Sequence, residues 1–215
     1  MVKKKVIVIC GPTASGKTAL SVALAKRFGG EIINADSMQI YKGINIASAK
    51  PTAAEREGVP HLLMDFLDPS ESFSVADFVR LAAVEIAKTD IPFVVGGTGL
   101  YITSLIDNIR FSETKTDYFF RDEMRKFAAE NGNNALHEKL AEIDPEAASN
   151  LHPNNLARVI RALEVFHTTG EKMSEQQRKS RLSPSPYNPL FIAPSRPREI
   201  LYTRINKRVD LMLEQ

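Results

Sequence analysis

One cysteine in 215 residues leaves no disulfide framework and no cysteine-ligated metal. That residue, Cys10, sits in an apolar run, and a cytoplasmic home follows most simply. The four histidines, His61, His137, His152 and His167, show no metal-ligand spacing, and none is assigned to catalysis. No stretch approaches the roughly 18 apolar residues of a membrane span. The opening MVKKKVIVIC has too short an apolar part for a signal peptide. A charge excess is missing too: 28 Lys and Arg face 26 Asp and Glu, so any nucleic-acid surface has to be local. There is no internal repeat and no low-complexity tract. What remains is an ordinary globular composition, 43% hydrophobic and 25% charged, long enough for one α/β domain with a smaller insertion.

Within that frame, short apolar runs alternate with helical periodicity. Val6–Cys10 reads as a buried parallel strand stopped by Gly11. Lys17–Phe28 reads as a helix with its apolar stripe at Leu20, Ala23, Leu24 and Phe28, ended by Gly29-Gly30. Glu31–Asn34 is a second strand that delivers Asp36 at its carboxyl end. Ser74 opens a helix to about Lys88 through a capping box closed by Asp77. Pro92–Val95 is a third strand, followed by Gly96-Gly97-Thr98-Gly99 and a helix over Leu100–Ile106. Leu190–Ala193 is a fourth strand. This alternation predicts a parallel sheet with helices on both faces. From Ser112 to Leu182 the rhythm breaks into helical segments, Tyr118–Asn131, Ala135–Ile143 and Asn155–Thr168. The expected organisation is therefore a core over residues 1–111, a helical insertion over 112–182, and a return to the core over 183–215. Ser183–Pro189 serves as a stiff return linker. Arg198–Gln215 reads as a helix still running where the sequence stops.

The chemistry begins at GPTASGKT, Gly11, Pro12, Thr13, Ala14, Ser15, Gly16, Lys17 and Thr18. Strand before and helix after are the context a phosphate loop needs. Its backbone N–H groups curl around phosphate oxygens, Lys17 adds a point charge, and the Thr18 hydroxyl can hold Mg²⁺. The loop does not say whose phosphate it grips. Nucleotide hydrolases place a metal-holding carboxylate at the end of a second buried strand. Here PFVV ends in GGTG instead, with Asp65 and Asp68 as the available substitutes, which leans away from an ATPase motor. Asp36 follows a strand expected beside the loop, where ligands of open α/β sheets bind. Position alone leaves it two equal roles, proton acceptor from a nucleophile or helix N-cap.

Taken together, GPTASGKT, ADSMQIYKGINIASAKPT, LLMDFLDP, VVGGTGLY and HPNNLARVIRALEVF resemble the tRNA dimethylallyltransferase family, in order from Val6 to Gln215. The resemblance implies a P-loop NTPase-like α/β fold whose loop holds dimethylallyl diphosphate rather than ATP. It implies prenyl transfer to N6 of adenosine 37 beside the anticodon. Asp36 carries over as general base, and Thr98 as a contact near the reacting centre and a possible helix N-cap. Arg208 matches a family arginine implicated with the diphosphate, though by sequence alone it is an exposed helix charge.

For tRNA, the family's contacts map onto Asp36, Ser37, Met38, Gln39 and Thr98, onto Arg121, and onto Ala157, Arg158, Val159, Ile160 and Arg161. In that last helix Leu156, Val159, Ile160, Leu163 and Phe166 supply the buried face, leaving Arg158 and Arg161 together on another. From Arg158 to Arg181 six basic residues face three glutamates, a local excess that suits RNA phosphates. The target adenosine has to leave its stack to reach the donor. Tyr41 and Tyr101 are available as an aromatic wall for the prenyl tail, with core packing as the competing job. The resemblance further implies partners limited to the tRNA anticodon stem-loop and dimethylallyl diphosphate, no membrane, and a cytoplasmic monomer. Family members run well past this chain's end, so the chain is expected to be impaired alone. Two other classes stay open: an ATP-dependent small-molecule kinase and a noncatalytic tRNA-binding fragment.

Overall fold

The computed structural model describes residues 3–109 and 116–214. The expected insertion start at Ser112 and the terminal Gln215 lie outside them. The chain divides into two compact units, Met1–Asn108 with Pro184–Gln215, and Ile109–Ser183.

The first unit is built on a fully parallel five-stranded sheet. In chain order its elements are β1 (Lys4–Cys10), α1 (Lys17–Phe28), β2 (Glu31–Asn34), α2 (Ala53–Arg56), β3 (His61–Leu62), α3 (Val75–Lys88), β4 (Pro92–Gly96) and α4 (Gly99–Ile106). The sheet runs β3-β2-β4-β1 and ends on β5 (Tyr187–Ile192), which is followed by α10 (Arg198–Leu213). Strand residues alternate between two apolar layers. Val6, Val8, Ile33 and Val94 pack under α3 and α4 through Phe78, Ala82 and Leu105. Ile9, Ile32, Phe93 and Val95 pack under α1 through Val22 and Ala25. Because both faces are covered, the centres of β1, β2 and β4 are apolar, as a parallel sheet requires. The Ser74–Asp77 capping box forms as expected, each residue bonding the other's backbone.

Three sequence expectations shift. The face of α1 that meets the sheet is Ser21, Val22 and Ala25, with Leu20 and Leu24 at its margin; Ala23 and Phe28 face solvent. The terminal strand begins at Tyr187, so the return linker is shorter than Ser183–Pro189. Pro189 is tolerated inside β5 because that strand is a sheet edge, where a missing N–H costs little. The two-residue β3 and the single turn of α2 were too short to show a period.

The second unit contains α5 (Tyr118–Asn131), α6 (Asn133–Ile143), α7 (Pro145–Ser149), α8 (Leu156–Thr169) and α9 (Met173–Arg181), with no strand among the described residues. Leu136, Leu140, Val159, Ile160 and Leu163 form its core. Asp144 is 1% exposed and does two jobs there. It caps α7 through Ala147 N (3.0 Å) and fixes the start of α9 through Ser174 N (2.9 Å). Among the described residues, no helix is long and apolar enough to cross a membrane.

Candidate active site

Sheet order brings the chemistry together. The phosphate loop leaves the end of β1, Asp36 lies just past β2, and the Gly96-Gly97-Thr98 turn leaves β4, which sits between those two strands. The close approach depends on a missing side chain: a Cβ on Gly96 would stand 2.1 Å from the Ala35 carbonyl oxygen. Thr98 N donates to that oxygen (3.2 Å). Gly96→Ala is therefore expected to cost about 3 kcal/mol through a backbone clash that no rotamer relieves, measured as a fall in the denaturation midpoint.

Asp36 caps a turn rather than a helix. Its Oδ1 accepts from Met38 N at 3.0 Å, which leaves the second carboxylate oxygen uncommitted to that turn. Below it, buried Asn34 donates to the carbonyls of Asp36 (3.3 Å) and Leu63 (3.0 Å). Thr98 stands at the N-cap position of α4 yet makes no capping bond. Its hydroxyl instead accepts from Ser37 N (2.9 Å) and donates to Ser37 Oγ (3.3 Å). Thr98 thus braces the Asp36 turn across the sheet. The Gln39 amide is spent on Ser48 O (3.2 Å) and Ala49 O (3.3 Å), while Met38 is exposed.

On the other side, the Lys17 ammonium folds onto its own loop, donating to Gly11 O (2.8 Å) and Pro12 O (2.7 Å). Burial pushes Lys17 below the ordinary lysine range; Asp36 draws it back up and Arg208 opposes that. Burial likewise lowers Arg208, against the pull of Asp36 and Glu55. Arg208 is thus a half-buried charge in the same field as Lys17 and Asp36, not the exposed helix charge its sequence position suggested.

One cavity of about 370 Å³ joins these groups. Lys17, Thr18 and Arg208 give it a cationic end, Asp36 lies on its wall, and Met38, Met64 and Met212 line it with Val95, Ile205 and Val209. Neither aromatic candidate is in this wall. Tyr101 is a core residue stacked on Phe78 at 4.3 Å, and the Tyr41 carbonyl accepts from Lys50 (2.7 Å). Asp65 bonds Lys50 and Asp68 bonds Ser70, so neither replaces a strand-end carboxylate at the loop. Among the described residues, no group of three or more His, Cys, Asp or Glu could hold a metal.

Sequence reading missed five contributors, His61, Met64, Met212, Arg196 and Arg204. His61 lines the cavity at the short β3, its Nδ1 engaged with Val59 O (2.9 Å), and burial lowers its pKa. Met64 and Met212 had no period to reveal them, while Met38 was named for RNA rather than for this wall. Arg196 Nε donates to Ser15 O (3.0 Å), and Arg204 Nε to Ala14 O (2.8 Å). For Arg204, its spacing to Arg208 along α10 was the available signal; Arg196, before that helix, had none.

The candidate tRNA contacts of the helical unit sort differently. Ala157 and Arg158 are exposed, whereas the Val159 and Ile160 side chains lie in the core. Arg161 does not stand free beside Arg158, because it bonds Glu164 Oε2 at 2.6 Å. Arg121 grips both oxygens of that carboxylate, at 2.9 and 2.8 Å.

A family profile described as IPP transferase matches residues 39–215, and one described as isopentenyl transferase matches 4–68. The tRNA dimethylallyltransferase of Halalkalibacterium halodurans is 50% identical over 99% of the chain, which covers 69% of that relative. Among solved structures, the full-length tRNA isopentenylpyrophosphate transferase from Bacillus halodurans is 49% identical with a TM-score of 0.65, covering 99% of this chain and 67% of that one. A eukaryotic dimethylallyltransferase crystallised in the course of acting on tRNA is 37% identical with a TM-score of 0.83, covering 98% of this chain and 53% of that one. An α/β sheet with a glycine loop at one strand end, a carboxylate at the next-but-one strand, and this breadth of similarity place the chain in the tRNA dimethylallyltransferase family.

Proposed function

We propose that the protein transfers the dimethylallyl group of dimethylallyl diphosphate to N6 of adenosine 37 in tRNA and releases diphosphate, in the cytoplasm. The observation that carries this is the single cavity in which a cationic phosphate end, an apolar wall and Asp36 meet. A five-carbon tail suits the methionine, isoleucine and valine lining, whose side chains offer it no polar partner.

The amine of adenine is a weak nucleophile, so the allylic C–O bond has to be largely broken as the N6–C bond forms. The electron pair leaves on the diphosphate, and the barrier falls with every positive group preorganised around it. The backbone N–H groups of the Gly11–Thr18 loop other than Pro12, with Lys17 and Arg208, serve that purpose. Thr18 fits a Mg²⁺ ion through its hydroxyl, since the residue lines the cavity beside Lys17 and Mg²⁺ characteristically takes one or two protein oxygens together with phosphates and water. When bound, that ion adds charge to the leaving diphosphate. Asp36 accepts the proton lost from N6 through the carboxylate oxygen that the Met38 turn leaves uncommitted. Thr98, with Ser37, holds that carboxylate in place. Met38 and Gln39 then lie at the RNA side of the cavity, and in the helical unit Ala157, Arg158 and the anchored Arg121 and Arg161 meet the anticodon stem-loop.

Mass spectrometry of adenosine 37 tests the assignment, using tRNA incubated with protein, Mg²⁺ and dimethylallyl diphosphate. A gain of one dimethylallyl group per tRNA is expected. Lys17→Met should reduce donor-limited turnover by about 100-fold, as loss of a charged group on a transition-state anion does. An ATP-dependent change in a small substrate, with tRNA unaltered, would overturn the assignment.

A further inference from the structure

The phosphate loop is held from its outer side by the far end of the chain. Ala14 (φ 61°) and Gly16 (φ 102°) both have left-handed backbone, and Ala14 adopts it despite carrying a Cβ. Such an arrangement needs an external hold. Arg204, 190 residues away in sequence, donates its Nε–H to Ala14 O at 2.8 Å; Arg196, 181 residues from Ser15, donates to Ser15 O at 3.0 Å.

Each of those carbonyls belongs to a peptide plane whose other end is an N–H of the anion cradle. The Ala14 carbonyl shares its plane with Ser15 N–H, and the Ser15 carbonyl with Gly16 N–H. A guanidinium on the carbonyl fixes the plane and polarises the opposite N–H toward a stronger donor. The Ser15 N–H reaches only Pro12 O, at a stretched 3.4 Å, so it is poorly used within the loop itself. Arg204 also lies one helical turn before Arg208, and Ile205, Val209 and Met212 on the same helix line the donor cavity. No residue of α10 is buried, so few other contacts fix it.

We propose that Arg196 and Arg204 are positioning residues for the diphosphate: they clamp the outward carbonyls of the phosphate loop so that its N–H groups face the ligand. The inference rests on the reading that this loop holds diphosphate. Neither arginine touches the ligand in this account.

Calorimetric titration with inorganic pyrophosphate in the presence of Mg²⁺ tests it, on the unaltered chain, Arg204→Ala, Arg204→Lys and Arg196→Lys. Loss of each charge-assisted bond is expected to weaken pyrophosphate binding about tenfold, in the lysine variants as much as in Arg204→Ala, because lysine keeps the charge but not the fixed Nε–H geometry. In turnover, KM for dimethylallyl diphosphate rises while KM for tRNA stays unchanged. Lysine variants that bind as tightly as the unaltered chain would reduce the arginines to a charge effect and overturn the clamp. So would variants that lose thermal stability while the folded fraction binds pyrophosphate normally. If the unaltered chain itself fails to bind pyrophosphate, the diphosphate reading falls first and takes this inference with it.

Discussion

Asp36→Asn is expected to lower prenyl transfer to tRNA by about 10²- to 10⁴-fold, the usual contribution of a positioned general base, without weakening pyrophosphate binding. Asparagine keeps an oxygen for Met38 N, so the turn that Asp36 caps at 3.0 Å survives. What disappears is the carboxylate proposed to accept the N6 proton. Asp36→Ala removes both, so the difference between the two variants separates turn from base. The electrostatics sharpen the prediction. The Asp36 carboxylate lies in the field of Lys17 and Arg208 and raises the proton affinity of both. Removing that negative charge favours an incoming diphosphate, so the slow variant should hold pyrophosphate at least as tightly as the unaltered chain. Single-turnover measurement with saturating donor reads the chemical step, and titration reads the binding. Retention of full turnover in Asp36→Asn would leave the residue a turn cap and nothing more.

Much of this site was legible in the sequence, for physical reasons. A glycine loop between strand and helix has few alternative conformations, and α1 was placed at both ends by Gly16 and Gly29, each left-handed. β2 and β4 are short with apolar centres, β2 entered from Gly30 and β4 left through Gly97, and a carboxylate after such a strand has to fall at the ligand edge of the sheet. The parts that resisted are those set by tertiary neighbours. Gly96 looked like a turn glycine, whereas its requirement comes from Ala35 on the adjacent strand. Thr98 looked like a cap, and its hydroxyl is taken by Ser37, 61 residues away. Arg196 and Arg204 are ordinary surface arginines until the chain folds them against the loop. The methionines of the cavity carry no period, since they come from three different segments.

Arg121 and Arg161 belong to the same class of surprise, and they carry the second large prediction. Sequence resemblance assigns them to tRNA, but in the helical unit both are first partners of Glu164, whose side chain is 0% exposed. The carboxylate also accepts from Asp117 N (2.9 Å), so it ties the start of α5 to the middle of α8. Burial acts to raise the Glu164 pKa; the bonds from Arg121, Arg161 and Asp117 outweigh it and leave the pKa below the ordinary glutamate range. A depressed carboxyl pKa stabilises the fold above the unfolded value of about 4.3 and loses that contribution as pH falls through the folded value. Glu164→Ala strips two guanidinium groups of their shared anion and is expected to cost about 3 kcal/mol. That is the lower end for a broken buried pair, because both arginines reach water in part. Glu164→Gln keeps the shape and one acceptor, so it should cost less at neutral pH and flatten the acid limb of the stability curve. Denaturation midpoints of the three proteins between pH 3 and 7 decide the matter: parallel curves for Glu164→Gln and the unaltered chain would show that the carboxylate charge contributes nothing. If, as proposed, these two arginines meet RNA, Glu164 holds them oriented for it, so tRNA affinity in Glu164→Gln should fall while pyrophosphate affinity does not move; unchanged tRNA affinity would leave Arg121 and Arg161 as fold-holding residues only.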